Sequence, residues 1–176
     1  MDDMVPGALT DVAPWRDWTS AADGMLRFLH AYVGWDVWMV TQLVDDNQVV
    51  LRACPERAVP PGAVLPWAQS LCRRMVAGEG PRLATVTAAV PAYASQMSGS
   101  IRDISAYVGV PLVTADGELF GTVCGIAFRA KARSAARELS VVETVARMLS
   151  TLMAAGVEPS PPPTATPLVV GPEYLN

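Results

Sequence analysis

Histidine, lysine and cysteine are scarce in this 176-residue chain, and each shortage closes a route to function. His30 is the only histidine and Lys131 the only lysine. A two-histidine metal site is therefore out of reach, and a catalytic triad would have no second histidine to draw on. His30 itself reads as a helix residue at the edge of a core rather than as a haem or metal ligand. The cysteines, Cys54, Cys72 and Cys124, are odd in number, widely spaced and without a CxxC pair. Neither a disulfide framework nor a zinc ribbon fits, so reduced thiols are expected.

Long hydrophobic runs are also missing. No stretch of eighteen apolar residues occurs, and Asp2, Asp3, Asp11 and Asp17 stand where a secretory signal needs a basic start and an apolar segment. The expectation is a soluble, cytoplasmic protein. Positive charge is thin as well: residues 1–18 sum to −3, residues 158–176 to −2, and the body between them to about +1. Such a body lacks the basic stripe of a nucleic-acid binder and the polybasic patch of a membrane-surface protein.

What is present is an apolar content of 51%, enough for one domain with a real core flanked by tails. Residues 1–18 mix Pro, Gly and acids around Trp15 and Trp18 without a sustained period, and read as an arm that docks by its tryptophans. A helix capped at Thr19 or Ser20 follows, with Met25, Leu26, Phe28, Leu29, Tyr32 and Val33 at three- and four-residue steps up to Gly34. Two β-rich runs, residues 35–44 and 48–54, flank Asp45-Asp46-Asn47 and form a hairpin. Residues 55–66, with four prolines, read as a loop, and a helix is expected from Trp67 to Ala77. A short strand over 82–86 precedes a loop over 87–103 that carries a short helix near Tyr93 to Met97. A second hairpin joins residues 104–113 to 118–128 through Asp116-Gly117. The last helix, from Ser134 to Ala155, has one apolar stripe through Leu139, Val142, Ala146, Leu149 and Met153 and another through Val141, Val145, Met148 and Leu152. The first stripe faces the sheet and the second faces the first helix or a partner subunit. After Gly156 the segment EPSPPPTATP reads as an extended, polyproline-like tail or linker.

Every well-signalled strand connection is a tight turn, so the fold class is α/β (α+β), with a mainly antiparallel sheet of five to six strands. The segment YVGVPLVTADGELFGTVCGI, residues 107–126, closely resembles the paired-strand signature of GAF domains, and LCRRMVAGEGP, residues 71–81, is similar to a helix that precedes the ligand-side loops there. The resemblance spans roughly residues 19–155, which sets the domain at 19–157 with 1–18 as arm and 158–176 as tail. It implies terminal helices on one face of the sheet, often used for dimerisation, and loops with short helices closing over a small-molecule pocket on the other. The implied role is a bacterial sensory or regulatory module that precedes a signalling output domain such as a diguanylate cyclase or histidine kinase. No GGDEF-like sequence or kinase box occurs, so a lone module or a sensor fragment is expected.

Within that family the residues select among subclasses. The cyclic-nucleotide motif has no counterpart around the single lysine. Bilin attachment favours a Cys-His pair, whereas the cysteines here precede Pro55, Arg73 and Gly125. Haem binding needs an axial histidine on the ligand face, and His30 lies on the first helix. The enzymatic relative, free methionine-(R)-sulfoxide reductase, carries a cysteine in the loop before the Val-Pro-Leu strand, and residues 87–103 hold none. Cys54 with Cys72 keeps that alternative open, and a ligand-free dimerisation module is another. The leading expectation is a non-catalytic sensory domain with no cofactor and no metal. It would form a homodimer through its first and last helices, signal to an output protein, and bind a small molecule between the sheet and the loops of residues 55–66 and 87–103. Aromatics with polar tips suit such a pocket, and the candidates are Trp38, Trp67, Tyr93, Ser105, Tyr107 and Arg102, with Arg73 and Arg74 as further contacts for an anion.

Overall fold

The computed structural model describes residues 9–175. It contains helices α1 (Trp18–Tyr32), α2 (Leu71–Val76), α3 (Pro91–Ala94) and α4 (Leu139–Ala154), and strands β1 (Val37–Val44), β2 (Asn47–Cys54), β3 (Ala63–Pro66), β4 (Leu83–Ala84), β5 (Ala106–Val113), β6 (Leu119–Ala127) and β7 (Thr166–Pro167). The strands form one seven-stranded sheet in the order β4-β5-β6-β1-β2-β3-β7, antiparallel throughout except for the parallel pair β3-β7.

Alternation along the strands divides the interior in two. On one face Trp38, Val40, Val108, Val110 and Val123 pack against Trp18, Leu26 and Leu29 of α1 and Val142, Val145 and Leu149 of α4. On the other face Val37, Met39, Tyr107, Cys124 and Ile126 meet α2, α3 and the loops. This is the layering the resemblance implies. A bidentate pair joins α1 to the sheet, with Arg52 Nε and Nη2 donating to the Asp23 carboxylate at 2.6 and 2.9 Å.

Several boundaries differ from the sequence expectation, each for a local reason. α1 starts at Trp18 because Asp17, not Thr19 or Ser20, is its cap. The Ser20 amide donates to Asp17 Oδ1 at 2.7 Å and Asp17 N–H donates back to Ser20 Oγ. Trp18 is thus a buried helix residue whose indole N–H donates to the Leu149 carbonyl, not part of an arm. Residues 1–8 of that arm lie outside the described residues, and Trp15 covers Gly24 of α1. The helix expected over Trp67 to Ala77 is split, since Ser70 takes an extended conformation to cap α2 and leaves Trp67–Gln69 as a 3-10 turn.

The sheet has more strands than the five or six expected. Residues 55–66, read as loop, supply β3, and the Pro-rich tail supplies β7. Thr166 N–H donates to the Gly62 carbonyl at 2.9 Å and Leu168 N–H to the Val64 carbonyl at 2.8 Å. Gly62 makes this approach possible: its φ is +90° and the Thr164 carbonyl occupies the space a Cβ would need. Beyond β7, Val170 is buried and Arg57 donates to the Leu175 carbonyl at 2.8 Å. The tail is therefore extended, as its composition suggests, and lies along the edge of the domain. No helix among the described residues is long and apolar enough to cross a membrane.

Candidate functional site

On the loop face of the sheet, polar side chains replace the apolar pattern at adjoining positions. Thr41 of β1, Gln48 of β2, Tyr107 of β5, and Thr122 and Cys124 of β6 all point to this side, and α2 lowers Cys72 onto them. A cavity of about 40 Å³ lies against this floor, with room for about three waters. Met39, Val50, Ile104 and Ile126 wall it, and Leu168 and Val170 of the tail complete its lining.

The floor is one hydrogen-bonded network. Gln48 Nε2 donates to Thr41 Oγ1 at 3.1 Å, to Cys72 Sγ at 3.1 Å and to Thr122 Oγ1 at 3.3 Å. The Thr41 and Thr122 hydroxyls are 2.7 Å apart. Cys72 Sγ also accepts from the Tyr107 hydroxyl at 3.2 Å and from Thr122 Oγ1 at 3.4 Å. All five side chains of this network, and Cys124 beside them, are buried. Donors converging on one sulfur favour its anion. The Cys124 thiol, followed by Thr122, Tyr107 and Gln48, lowers Cys72 from the ordinary thiol range against the opposing effect of burial. Cys124, facing a neighbour that ionises first and itself desolvated, is pushed the other way. Burial raises Tyr107 well above the usual phenol range, so it stays a donor at neutral pH.

Tyr107 reaches Cys72 by lying along its own strand. Its hydroxyl occupies the space over Gly109 that a Cβ would take, so glycine is needed there to admit the ring. Gly125 likewise accommodates the Trp38 ring. Gly109→Ala is expected to push the hydroxyl off Cys72, lowering stability in urea by about 1 kcal/mol for one methyl of overpacking. Thiolate ultraviolet absorbance should then appear at higher pH than in the wild type.

Of the six residues singled out in the sequence, only Tyr107 lines the cavity. Tyr93 stands behind it, edge-on at 5.2 Å between ring centroids, with its hydroxyl donating to the Pro81 carbonyl. Trp67 is half-buried at the margin of the same layer. Ser105 donates to the Phe128 carbonyl at 3.1 Å and so fastens β5 to the end of β6. Arg102 is 73% exposed beside Asp103, and Arg74 pairs with Glu79, so neither points inward. Trp38 is on the opposite face of the sheet, among the helix-side residues, because its neighbours on β1 alternate sides with it. His30 sits on α1 with Nδ1 at 3.1 Å from the Trp35 carbonyl.

The cysteines are arranged differently from the pair considered in the sequence. Cys54 packs at the helix-side core and burial raises its pKa, whereas Cys72 belongs to the loop-side core. The two sulfurs lie on opposite faces, and Cys72 instead lines the loop-side cavity together with Cys124. A strand-parity signal was available for this: Tyr107, Thr122 and Cys124 share one face of a hairpin whose register the Asp-Gly turn sets.

No family model matches the chain, and no curated protein matches it in sequence. Solved structures do. The fold is similar to the GAF domain of an Acinetobacter phosphoenolpyruvate-protein phosphotransferase, with a TM-score of 0.61, 13% identity, and coverage of 84% of this chain and 89% of that one. It is also similar to free methionine-R-sulfoxide reductase from Neisseria meningitidis, solved in complex with its substrate, at TM-score 0.60, 17% identity and 83% of each chain. A third likeness is to the chromophore-binding domain of a bacteriophytochrome from R. palustris, at TM-score 0.61 and 13% identity, covering 81% of this chain and 58% of that one. At such identities the likeness carries architecture alone. With the layering, the strand order and the 107–126 hairpin already in place, the chain has the GAF fold.

Proposed function

We propose that this chain is a sensory module that binds a small molecule non-covalently in the cavity between α2 and the sheet. One observation carries the reading: a void sits over a polar floor inside an otherwise apolar layer. Folding stability favours filled, apolar interiors, so a polar-floored void is better explained by a ligand than by packing. The cavity's volume of about 40 Å³ admits only a few atoms. A larger ligand has to displace Leu168 and Val170, and β7, held by a two-residue pairing, parts readily from β3. Occupancy would then register on the C-terminal segment, where an output partner could sense it.

A calorimetric and thermal-shift panel of small polar metabolites tests this. At least one should raise the unfolding midpoint of the wild type and lose its effect in Gln48→Leu. A blank panel, or binding that survives Gln48→Leu, would refute the site and leave a ligand-free dimerisation module. Free methionine sulfoxide with a thiol reductant belongs in the panel, because the fold is shared with a reductase and the cavity holds two thiols. Turnover of that compound would replace the sensory reading with the enzymatic one.

Dimerisation through α1 and α4 is the second part of the proposal. The stripe assigned to a partner is in fact divided: Val145 is buried against α1, while Met148 remains 45% exposed beside Phe28 at 48%. Phe28 stacks on Tyr32 at 5.3 Å, extending the apolar surface along α1. A second copy meeting these residues would cover it. Phe28→Glu combined with Met148→Glu is expected to shift a dimer to monomer in sedimentation velocity at tens of micromolar, roughly where such interfaces associate, with little change in folding stability. A wild type that sediments as a monomer would rule the dimer out.

A further inference from the structure

We propose that Cys72 and Cys124 are a peroxide-oxidisable dithiol that closes a disulfide between α2 and β6 across the floor of the cavity. The proposal goes beyond ligand binding, since it needs the cavity and its donors but no bound metabolite. Three observations carry it. Both sulfurs line one small void, which is large enough for the two oxygen atoms of hydrogen peroxide. Cys72 Sγ accepts from Gln48, Tyr107 and Thr122, donors that serve a thiolate better than a thiol. Cys124 lines the same void and shares its face of the β5-β6 hairpin with Thr122 and Tyr107, whose hydroxyls reach Cys72 Sγ, so it is placed to act as the resolving group.

The chemistry balances without a cofactor. The Cys72 thiolate attacks one oxygen of the peroxide, the S–O bond forms as the O–O bond breaks, and the departing hydroxide takes up a proton to become water. Cys124 then loses its proton and attacks the Cys72 sulfenic sulfur. The S–S bond forms, the S–O bond breaks, and the leaving hydroxyl departs as a second water. Two thiols supply the two electrons that reduce one peroxide. The Tyr107 and Thr122 hydroxyls, already within reach of the Cys72 sulfur, lie close enough to donate to the oxygen it acquires.

Cys54 is an internal control that separates this mechanism from simple access. It is the most exposed of the three cysteines, yet burial raises its pKa and it has no thiol partner on its face. Access alone predicts that Cys54 oxidises first; the donor set predicts Cys72. The full chain, fully reduced, is exposed to equimolar hydrogen peroxide with free glutathione present at the same concentration. It is then alkylated under denaturing conditions and mapped by peptide mass spectrometry. The expected result is a Cys72–Cys124 disulfide formed before Cys54 is modified and before half the glutathione is consumed. In Cys124→Ser, Cys72 should accumulate a dimedone-trapped sulfenic acid in place of the disulfide. Modification of Cys54 first, or three free thiols after the glutathione is spent, would overturn the proposal, and the wild-type map decides this even if Cys124→Ser does not fold. Neither outcome bears on the metabolite panel, which is run on reduced protein.

Discussion

Trp38→Ala is expected to cost about 3–5 kcal/mol of folding stability, the range for removing a large aromatic from a packed core. Trp38 is fully buried on the helix side of β1, beside Trp35 at 6.1 Å between ring centroids and over Gly125. The loss would empty the centre of the core that holds α1 and α4 to the sheet. Trp38→Phe should cost far less, because the Trp38 indole N–H is buried without a hydrogen-bond partner and its removal returns part of the lost packing energy. Urea unfolding of the two variants measures the difference. Ligand binding should be unchanged in Trp38→Phe, since the sheet separates this residue from the cavity. A Trp38→Phe variant as unstable as Trp38→Ala would contradict the assignment of an unsatisfied donor.

Gln48→Leu carries the second large effect. Its amide serves Thr41, Cys72 and Thr122 at once, so leucine keeps the volume while leaving buried acceptors short of a donor. The expected penalty is roughly 1–3 kcal/mol, because unmet desolvation outweighs the modest net value of the bonds themselves. A pH signature distinguishes this from ordinary core damage. In the wild type Cys72 titrates below the ordinary thiol range, so it contributes stability that is complete above the unfolded thiol pKa and is lost as pH falls through the folded value. Losing the Gln48 donor raises the folded pKa towards the unfolded one. The rise of thiolate absorbance should move to higher pH, and the corresponding gain of stability with rising pH should shrink. Unchanged titration in Gln48→Leu would mean that Gln48 does not support the anion.

The parts of the fold that could be read in the sequence are those with a strong local period. α1 and α4 repeat apolar residues at helical spacing, and both hairpins combine strand alternation with a turn signal, Asp45-Asp46-Asn47 or Asp116-Gly117. β3 and β7 were illegible because each is short and lies among prolines, and each exists only through pairing with a distant segment, β3 with β2 and β7 with β3. Pro111, which has no N–H to give a ladder, lies where β5 has outrun β4.

The site was less legible, for a physical reason. Aromatics with polar tips draw attention, yet Trp38 lost its place to strand parity, Arg102 to exposure, and Ser105 to a carbonyl at the end of β6. The residues that build the floor are small or amphipathic side chains within apolar strands. Thr41, Gln48 and Thr122 each interrupt an inward-facing row, which is costly unless they meet one another. That cost was the available signal. Strand parity marks the face Cys124 occupies, but the arrival of Cys72 on that face depends on how α2 packs over the sheet, which has no local mark.

Amide chemical-shift mapping of the full chain, titrated with whichever metabolite stabilises it most, tests the central claim that the loop-side cavity is the binding site. Perturbations should concentrate at Thr41, Gln48 and Cys124 on the floor and at Leu168 and Val170 on the tail, with the Leu168 amide losing protection from exchange as β7 leaves β3. Perturbations confined to Phe28, Val141 and Met148 on the helical face, with the floor and tail unmoved, would contradict it.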